Sequence, residues 1–175
     1  FLVVLLSPLY LILIVFLSIY YKGSPFFTQP RPGLNNEIFN VIKFKSMIDA
    51  FDENGNPLPN KDRITSVGKF LRRTSLDEIP QIINILKGDM SFVGPRPLFA
   101  SYLDYYTTEE LERHTVRPGI TGLAQVNGRN FLEWDQRLRL DVEYARNLSF
   151  ALDIKIIYLT VLKVFKRQDI SVIPS

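Results

Sequence analysis

The densest run of reactive side chains in this sequence is Arg72-Arg73-Thr74-Ser75-Leu76-Asp77-Glu78-Ile79-Pro80. Its centre is an adjacent carboxylate pair, Asp77-Glu78. Neighbouring carboxylates repel, so keeping both ionised favours a bound cation or a close arginine. Mg2+ prefers oxygen ligands and commonly links one or two carboxylates to phosphate oxygens. A carboxylate can also be a nucleophile, forming an acyl phosphate and dividing one displacement into two. Structural roles compete for the same residues. Ser75 followed three residues later by Glu78 is the pattern of a helix capping box, and a cap at Asp77 would seat Pro80 more comfortably.

Arginine recurs beside Pro or Gly at four places: Arg31-Pro32-Gly33, Gly94-Pro95-Arg96-Pro97, Arg117-Pro118-Gly119 and Asn127-Gly128-Arg129. Rigid turns that present guanidinium forks suit bidentate phosphate recognition. Any one of them is an ordinary loop arginine; four together with an acidic pair point to a phosphate-bearing substrate. His114, the single histidine, reads as a surface residue at a helix end, and Trp134 as packing at a helix start.

Composition narrows the chemistry further. The 175 residues contain no Cys and one His. A disulfide framework, a thiolate zinc site, an iron–sulfur cluster and a Cys nucleophile are therefore excluded, and most Ser-His-Asp chemistry is disfavoured. Carboxylates, Lys/Arg, hydroxyls and backbone groups remain. A net charge of +3 is too small to argue for a nucleic-acid partner.

The elements that must position these residues fall into two compositions. Residues 1–21 carry no Lys, Arg, Asp or Glu, and the first charge is Lys22. As a helix this stretch would reach about 31 Å, enough for a bilayer core. Ser7-Pro8 interrupts it with a residue that lacks a backbone donor. The stretch reads either as a kinked spanning helix or as a helix-break-helix that enters and leaves on one face. Tyr20, Tyr21 and Lys22 suit its interfacial end. The sequence opens at Phe1 inside this apolar run, so upstream residues are expected to be missing.

Downstream, residues 23–33 read as a connector, 38–47 as a half-exposed strand and 49–62 as a loop over the site. Helices are expected over 65–73 and 75–86, the latter stopped by Gly88, with charges at helical spacing over 102–114. Residues 116–130 read as a Gly-rich loop and 133–147 as a charged helix. The last helix, 151–167, is basic and amphipathic, suited either to a core or to a headgroup layer.

Ser75–Pro97 (SLDEIPQIINILKGDMSFVGPRP) and Arg117–Arg129 (RPGITGLAQVNGR) resemble the bacterial sugar transferases, the monotopic phosphoglycosyl transferases that act on polyprenyl phosphate. Ser7-Pro8, Gln29–Asn35 and Lys43–Met47 support the match, which covers nearly the whole chain. Lys45 and Ser46 stand where members often carry Arg and Thr. The resemblance implies transfer of a phosphosugar from a nucleotide diphosphate sugar, usually a UDP-sugar, to polyprenyl (undecaprenyl) phosphate with release of UMP. It casts Asp77 as the nucleophile that captures the β-phosphoryl group as a covalent phosphosugar and Glu78 as a Mg2+ ligand beside it. Arg72, Arg96, Arg117 and Arg129 become phosphate contacts, and Ser7-Pro8 the break of a re-entrant membrane helix. The implied fold is α+β, with that helix (1–21), amphipathic interfacial helices and a small β-sheet carrying the active site. The implied domains are 1–21 and a catalytic domain, 22–175, on the cytoplasmic face of the bacterial inner membrane. Downstream glycosyltransferases are the partners that would extend the lipid-linked product.

Overall fold

A computed structural model describes the backbone of residues 2–128 and 132–166, and side chains over 7–128 and 132–164. In chain order its elements are α1 (Leu2–Tyr21), β1 (Phe26–Pro32), β2 (Ile38–Phe44), α2 (Asn60–Arg63), α3 (Ser66–Arg73), α4 (Gln81–Lys87), β3 (Ser91–Val93), α5 (Thr108–Leu111), β4 (Gly119–Thr121), α6 (Leu123–Asn127), α7 (Trp134–Arg146) and α8 (Phe150–Lys166). Short 3-10 turns lie at Leu34–Asn36, Leu76–Glu78, Ala100–Tyr105 and Glu112–His114. Helices mixed with two small two-stranded sheets make an α+β fold, as expected. Two compact units emerge: one from the described residues of 1–28 and 42–82, the other from 29–41 and 83–166.

In the first unit, Leu17, Phe44 and Leu71 form the buried centre, joined by Tyr10, Leu13, Ile14, Tyr21 and Ile79. The α1 residues among these recur at helical spacing, so one stripe of an all-apolar helix docks while the opposite face stays bare. Leu11, Ile12, Val15 and Ile19 are more than half exposed. Ser7 and Pro8 lie inside the continuous helix, so the anticipated break is not a change of secondary structure. Proline removes one hydrogen bond from a helix and can bend it without ending it. Among the described residues no helix is long and apolar enough to cross a membrane.

α3 begins at Thr65, whose side chain accepts from the Gly68 amide at 2.8 Å. That helix lies close against the backbone of residue 46: a Cβ on Gly68 would come within 1.8 Å of the Ser46 carbonyl oxygen. Residues 49–62 are ordered around Asp52, whose carboxylate accepts from the amides of Asn54 and Asn56.

In the second unit, Val93, Val126, Tyr144 and Ile156 make the buried centre. β3 and β4 pair in parallel, Ser91 opposite Gly119 and Val93 opposite Thr121. The stretch expected as a Gly-rich loop, 116–130, instead supplies β4 and α6. Its glycines are explained by close packing: a Cβ on Gly119 would meet the Gly94 amide nitrogen at 2.1 Å, and one on Gly122 the Gly94 carbonyl at 2.2 Å. Residues 102–114 form no single helix, but three short pieces, with a Thr107–Glu110 capping box starting α5.

Candidate active site

The Asp77-Glu78 pair sits on the 3-10 turn Leu76–Glu78, which follows α3 and precedes α4. Sequence predicts one helix from Ser75; the structure divides it. Ser75 takes a left-handed backbone (φ 56°, ψ 18°) and its side chain makes no capping hydrogen bond. A cap residue normally has extended backbone geometry, so the left-handed Ser75 is a poor candidate for one. The capping box is absent, and the two carboxylates are presented on a turn of their own. Both residues are half-buried.

Two cations flank the pair. Lys43, near the end of β2, donates Nζ to Glu78 Oε1 at 2.9 Å, with the two side chains 27% and 17% exposed. Arg72, on the last turn of α3, lies in the field of Asp77 and Glu78. Burial lowers the Arg72 guanidinium below its ordinary range, while Asp77, Tyr21 and Glu78 pull it back up. Its Nε donates to Ser46 Oγ at 2.9 Å. Ser46 is buried, 7% exposed, so the hydroxyl fixes the stem of the guanidinium. A threonine would retain that hydroxyl, which gives the Ser46 position a physical meaning that sequence alone did not supply. Lys43 was also not singled out as a charge partner; its contact joins residues 35 apart in sequence.

The described arginines singled out beside Pro or Gly fall in the second unit. Arg96 stands in a non-helical Gly94–Pro97 turn and is half-buried. Arg31 donates Nη2 to Gln29 Oε1 at 2.7 Å and stacks 3.8 Å over the Phe99 ring. Burial first, then the charge of Arg96, bring the Arg31 guanidinium down to about 10. Arg117 is exposed and donates Nε to the Gly88 carbonyl at 2.8 Å, just beyond the end of α4. Arg129 lies outside the described residues. Thus Arg72 is the sequence-derived arginine brought to the acidic pair within its unit.

His114 is not the surface residue expected. It is 5% exposed, and its Nε2 faces Arg113 Nη1 at 3.2 Å. Burial and then the Arg113 charge push its imidazole down to about 4, so it is neutral near pH 7. Trp134 remains 39% exposed and meets Tyr102 edge-on at 5.0 Å.

Among the described residues no group of three or more Asp, Glu, His or Cys could hold a metal, so no dedicated cage is present. Two hard carboxylates fit Mg2+ of the kind that takes further ligands from water and substrate phosphates. Taken together, this unit offers two adjacent carboxylates and two cations.

The chain is 52% identical over 149 residues to the uncharacterized sugar transferase EpsL of Bacillus subtilis, covering 85% of this chain and 74% of that protein. It is 43% identical over 172 residues to a UDP-glucose:undecaprenyl-phosphate glucose-1-phosphate transferase of Klebsiella pneumoniae, covering 93% and 37% respectively. With the exopolysaccharide production protein ExoY of Rhizobium meliloti it shares 36% over 174 residues, covering 90% and 77%. The chain thus spans only about a third of the glucose-1-phosphate transferases it matches (37% in the Klebsiella protein). The bacterial sugar transferase family model matches residues 1–167, and the chain belongs to the bacterial sugar transferase family.

Proposed function

We propose that this chain transfers a phosphosugar from a UDP-sugar to polyprenyl phosphate, undecaprenyl phosphate in particular, releasing UMP. The observation that carries the reading is the acidic pair on its own turn, freed of capping duty at Ser75 and flanked by Arg72 and Lys43. The Klebsiella relative, a UDP-glucose:undecaprenyl-phosphate glucose-1-phosphate transferase, belongs to the same reaction class.

In the proposed reaction an Asp77 carboxylate oxygen attacks the β-phosphorus of the donor. The bond from that phosphorus to the bridging oxygen breaks, and UMP departs with the electron pair. The resulting acyl phosphate holds the phosphosugar until a lipid phosphate oxygen attacks the same phosphorus and restores the Asp77 carboxylate. Covalent storage lets a water-soluble donor and a lipid acceptor be handled in turn. Arg72 offsets the negative charge that would otherwise keep a carboxylate from a diphosphate. Lys43 holds Glu78 at one oxygen and so orients the second acid. Asp77 and Glu78 are also the residues that would hold Mg2+, which when bound would neutralise phosphate charge. Arg96, Arg117 and Arg129 are assigned to substrate phosphates in this reading.

The proposal places the protein on the cytoplasmic face of the bacterial inner membrane. Support comes from the bare apolar face of α1 and from a second one on α8, where Phe150, Ile154, Tyr158 and Val161 are about half exposed or more. Lys155 lies on that same helix, as expected for a helix resting among headgroups. Within the proposal α1 is re-entrant, bending at Ser7-Pro8 so that both its ends face the cytoplasm.

The test is UMP release by detergent-solubilised protein from a panel of UDP-sugars with undecaprenyl phosphate and Mg2+, alongside Asp77→Asn. Lipid-dependent release that vanishes in Asp77→Asn, with a phosphosugar mass adduct on wild type in the absence of lipid, is the expected result. Equal release by the variant would remove Asp77 as nucleophile.

A further inference from the structure

The second unit contains a charge pair that takes no part in the chemistry above. Arg113 and Asp141 are each 1% exposed. Arg113 Nε and Nη2 both donate to Asp141 Oδ2, at 3.2 and 2.7 Å. Nη1 faces His114 Nε2 at 3.2 Å and Tyr106 Oη at 3.5 Å. The second Nη2 proton goes to a main-chain atom, the Arg96 carbonyl, at 2.7 Å. The guanidinium is therefore turned to partners inside the protein, with its firm bonds on Asp141 and the Arg96 carbonyl, and its burial keeps it from a substrate.

Taking two charges out of water is expensive, and a well-packed apolar pair often serves stability as well or better. An apolar pair could not, however, donate to a carbonyl. Arg113 Nη2 donates to that carbonyl, which lies between Pro95 and Pro97 in the turn. The rest of the turn is tied to β4: Gly94 N donates to Thr121 O at 2.8 Å, and Gly119 N to Pro95 O at 3.0 Å. Arg113 supplies a further tie, at the residue whose side chain the proposed function assigns to substrate phosphate.

We propose that Arg113, held by Asp141, is a positioning residue for Arg96: it clamps the Arg96 carbonyl so that the Arg96 guanidinium is presented to the donor diphosphate. This rests on the reading of Arg96 given under the proposed function. Both residues reach the chemistry only through Arg96.

A double-mutant cycle on the full chain in detergent tests this, with steady-state UMP release measured at varied UDP-sugar and varied undecaprenyl phosphate. The variants are Arg113→Lys, Arg96→Ala and their combination. A lysine keeps the charge but cannot make the same fork. Arg113→Lys is expected to lower kcat/KM for the UDP-sugar by about tenfold or more, leaving KM for the lipid unmoved. On the Arg96→Ala background the same change is expected to add nothing, since its target is gone. A second variant guards against poor folding: Arg113→Met with Asp141→Leu removes the pair together and fills its space. It should melt no lower than wild type and still lose the donor kcat/KM in an Arg96-dependent way. Losses that multiply on the two backgrounds, or full donor kcat/KM in the Met/Leu variant, would overturn the proposal and leave the proposed function standing. Wild-type kinetics in Arg96→Ala would remove the reading of Arg96 itself, and this proposal with it.

Discussion

The two units handle charge in opposite ways. In the first, Lys43 and Glu78 meet at 2.9 Å while keeping 27% and 17% of their side chains in solvent. In the second, Arg113 and Asp141 meet at 2.7 Å with 1% each. A half-exposed cluster remains accessible to an incoming phosphate and can exchange partners. A sealed pair cannot, because any rearrangement would strand a charge in the interior. Burial pushes the Asp141 carboxyl up against the pull of Arg113. Exposure thus separates the charges assigned to the reaction from those that support the fold.

The sharpest way to break this contrast is to neutralise one acid in each unit. Asp77→Asn should abolish UMP release, by roughly a thousandfold or more for loss of a covalent nucleophile, with the melting temperature unchanged. Asp141→Ala should do the reverse in thermodynamic terms. Leaving Arg113 buried without its partner costs about 3–5 kcal/mol, read as a lowered denaturant midpoint. A loss of stability in Asp77→Asn as large as that in Asp141→Ala would erase the distinction.

Gly68→Ala acts on the frame of the first site rather than on its charges. The added methyl would overlap the Ser46 carbonyl at 1.8 Å and force α3, which carries Arg72, off that backbone. A loss of about 1–3 kcal/mol is expected from such overpacking, together with weakened UDP-sugar kinetics. Unchanged stability and KM would show that the α3 contact with residue 46 is dispensable.

Acid should find the second unit through His114. Its folded value of about 4 lies below the ordinary 6.5, so the unfolded chain binds the proton more readily between those values. Stability should therefore fall as pH drops from about 6.5 towards 4, by at most about 1.4 kcal/mol per pH unit for one proton. Denaturation curves of His114→Gln beside wild type over that range isolate the contribution, because the variant lacks the slope. The smallest effect is expected at Ser75→Ala. With no capping bond to lose, the change should stay within about 0.5 kcal/mol, whereas a true cap would lose about 1 kcal/mol.

Local sequence carried the helices at the chain's end well: 133–147 and 151–167 are close to the observed α7 and α8. Their charges and apolar residues recur at helical spacing, and packing did not need to override that pattern. The helix expected from Ser75 was misread because Ser-x-x-Glu is satisfied by more than one backbone, and the left-handed Ser75 followed by Pro80 selected a separate turn. Residues 116–130 misled for a different reason. Glycines usually mark turns, but Gly119 and Gly122 are there to let two backbones touch, which depends on a partner 25 residues or more away in sequence. His114 was misplaced because a lone polar residue after charged neighbours gives no local sign that Arg113 will be drawn inside by Asp141.

The sequence by itself determined the reaction class that can be proposed through the resemblance of Ser75–Pro97 and Arg117–Arg129 to the bacterial sugar transferases, with composition only narrowing the options. Residue types bound chemistry directly: no cysteine, one histidine, an adjacent acidic pair and arginines on rigid turns leave few options. Tertiary structure alone decided which cations serve that pair, since Lys43 and Ser46 reach Glu78 and Arg72 across 35 and 26 residues. It also decided which arginine is a tool and which a brace. Solvent exposure and hydrogen-bond geometry separate those roles, and both come from the packing of distant segments rather than from any local pattern of residues.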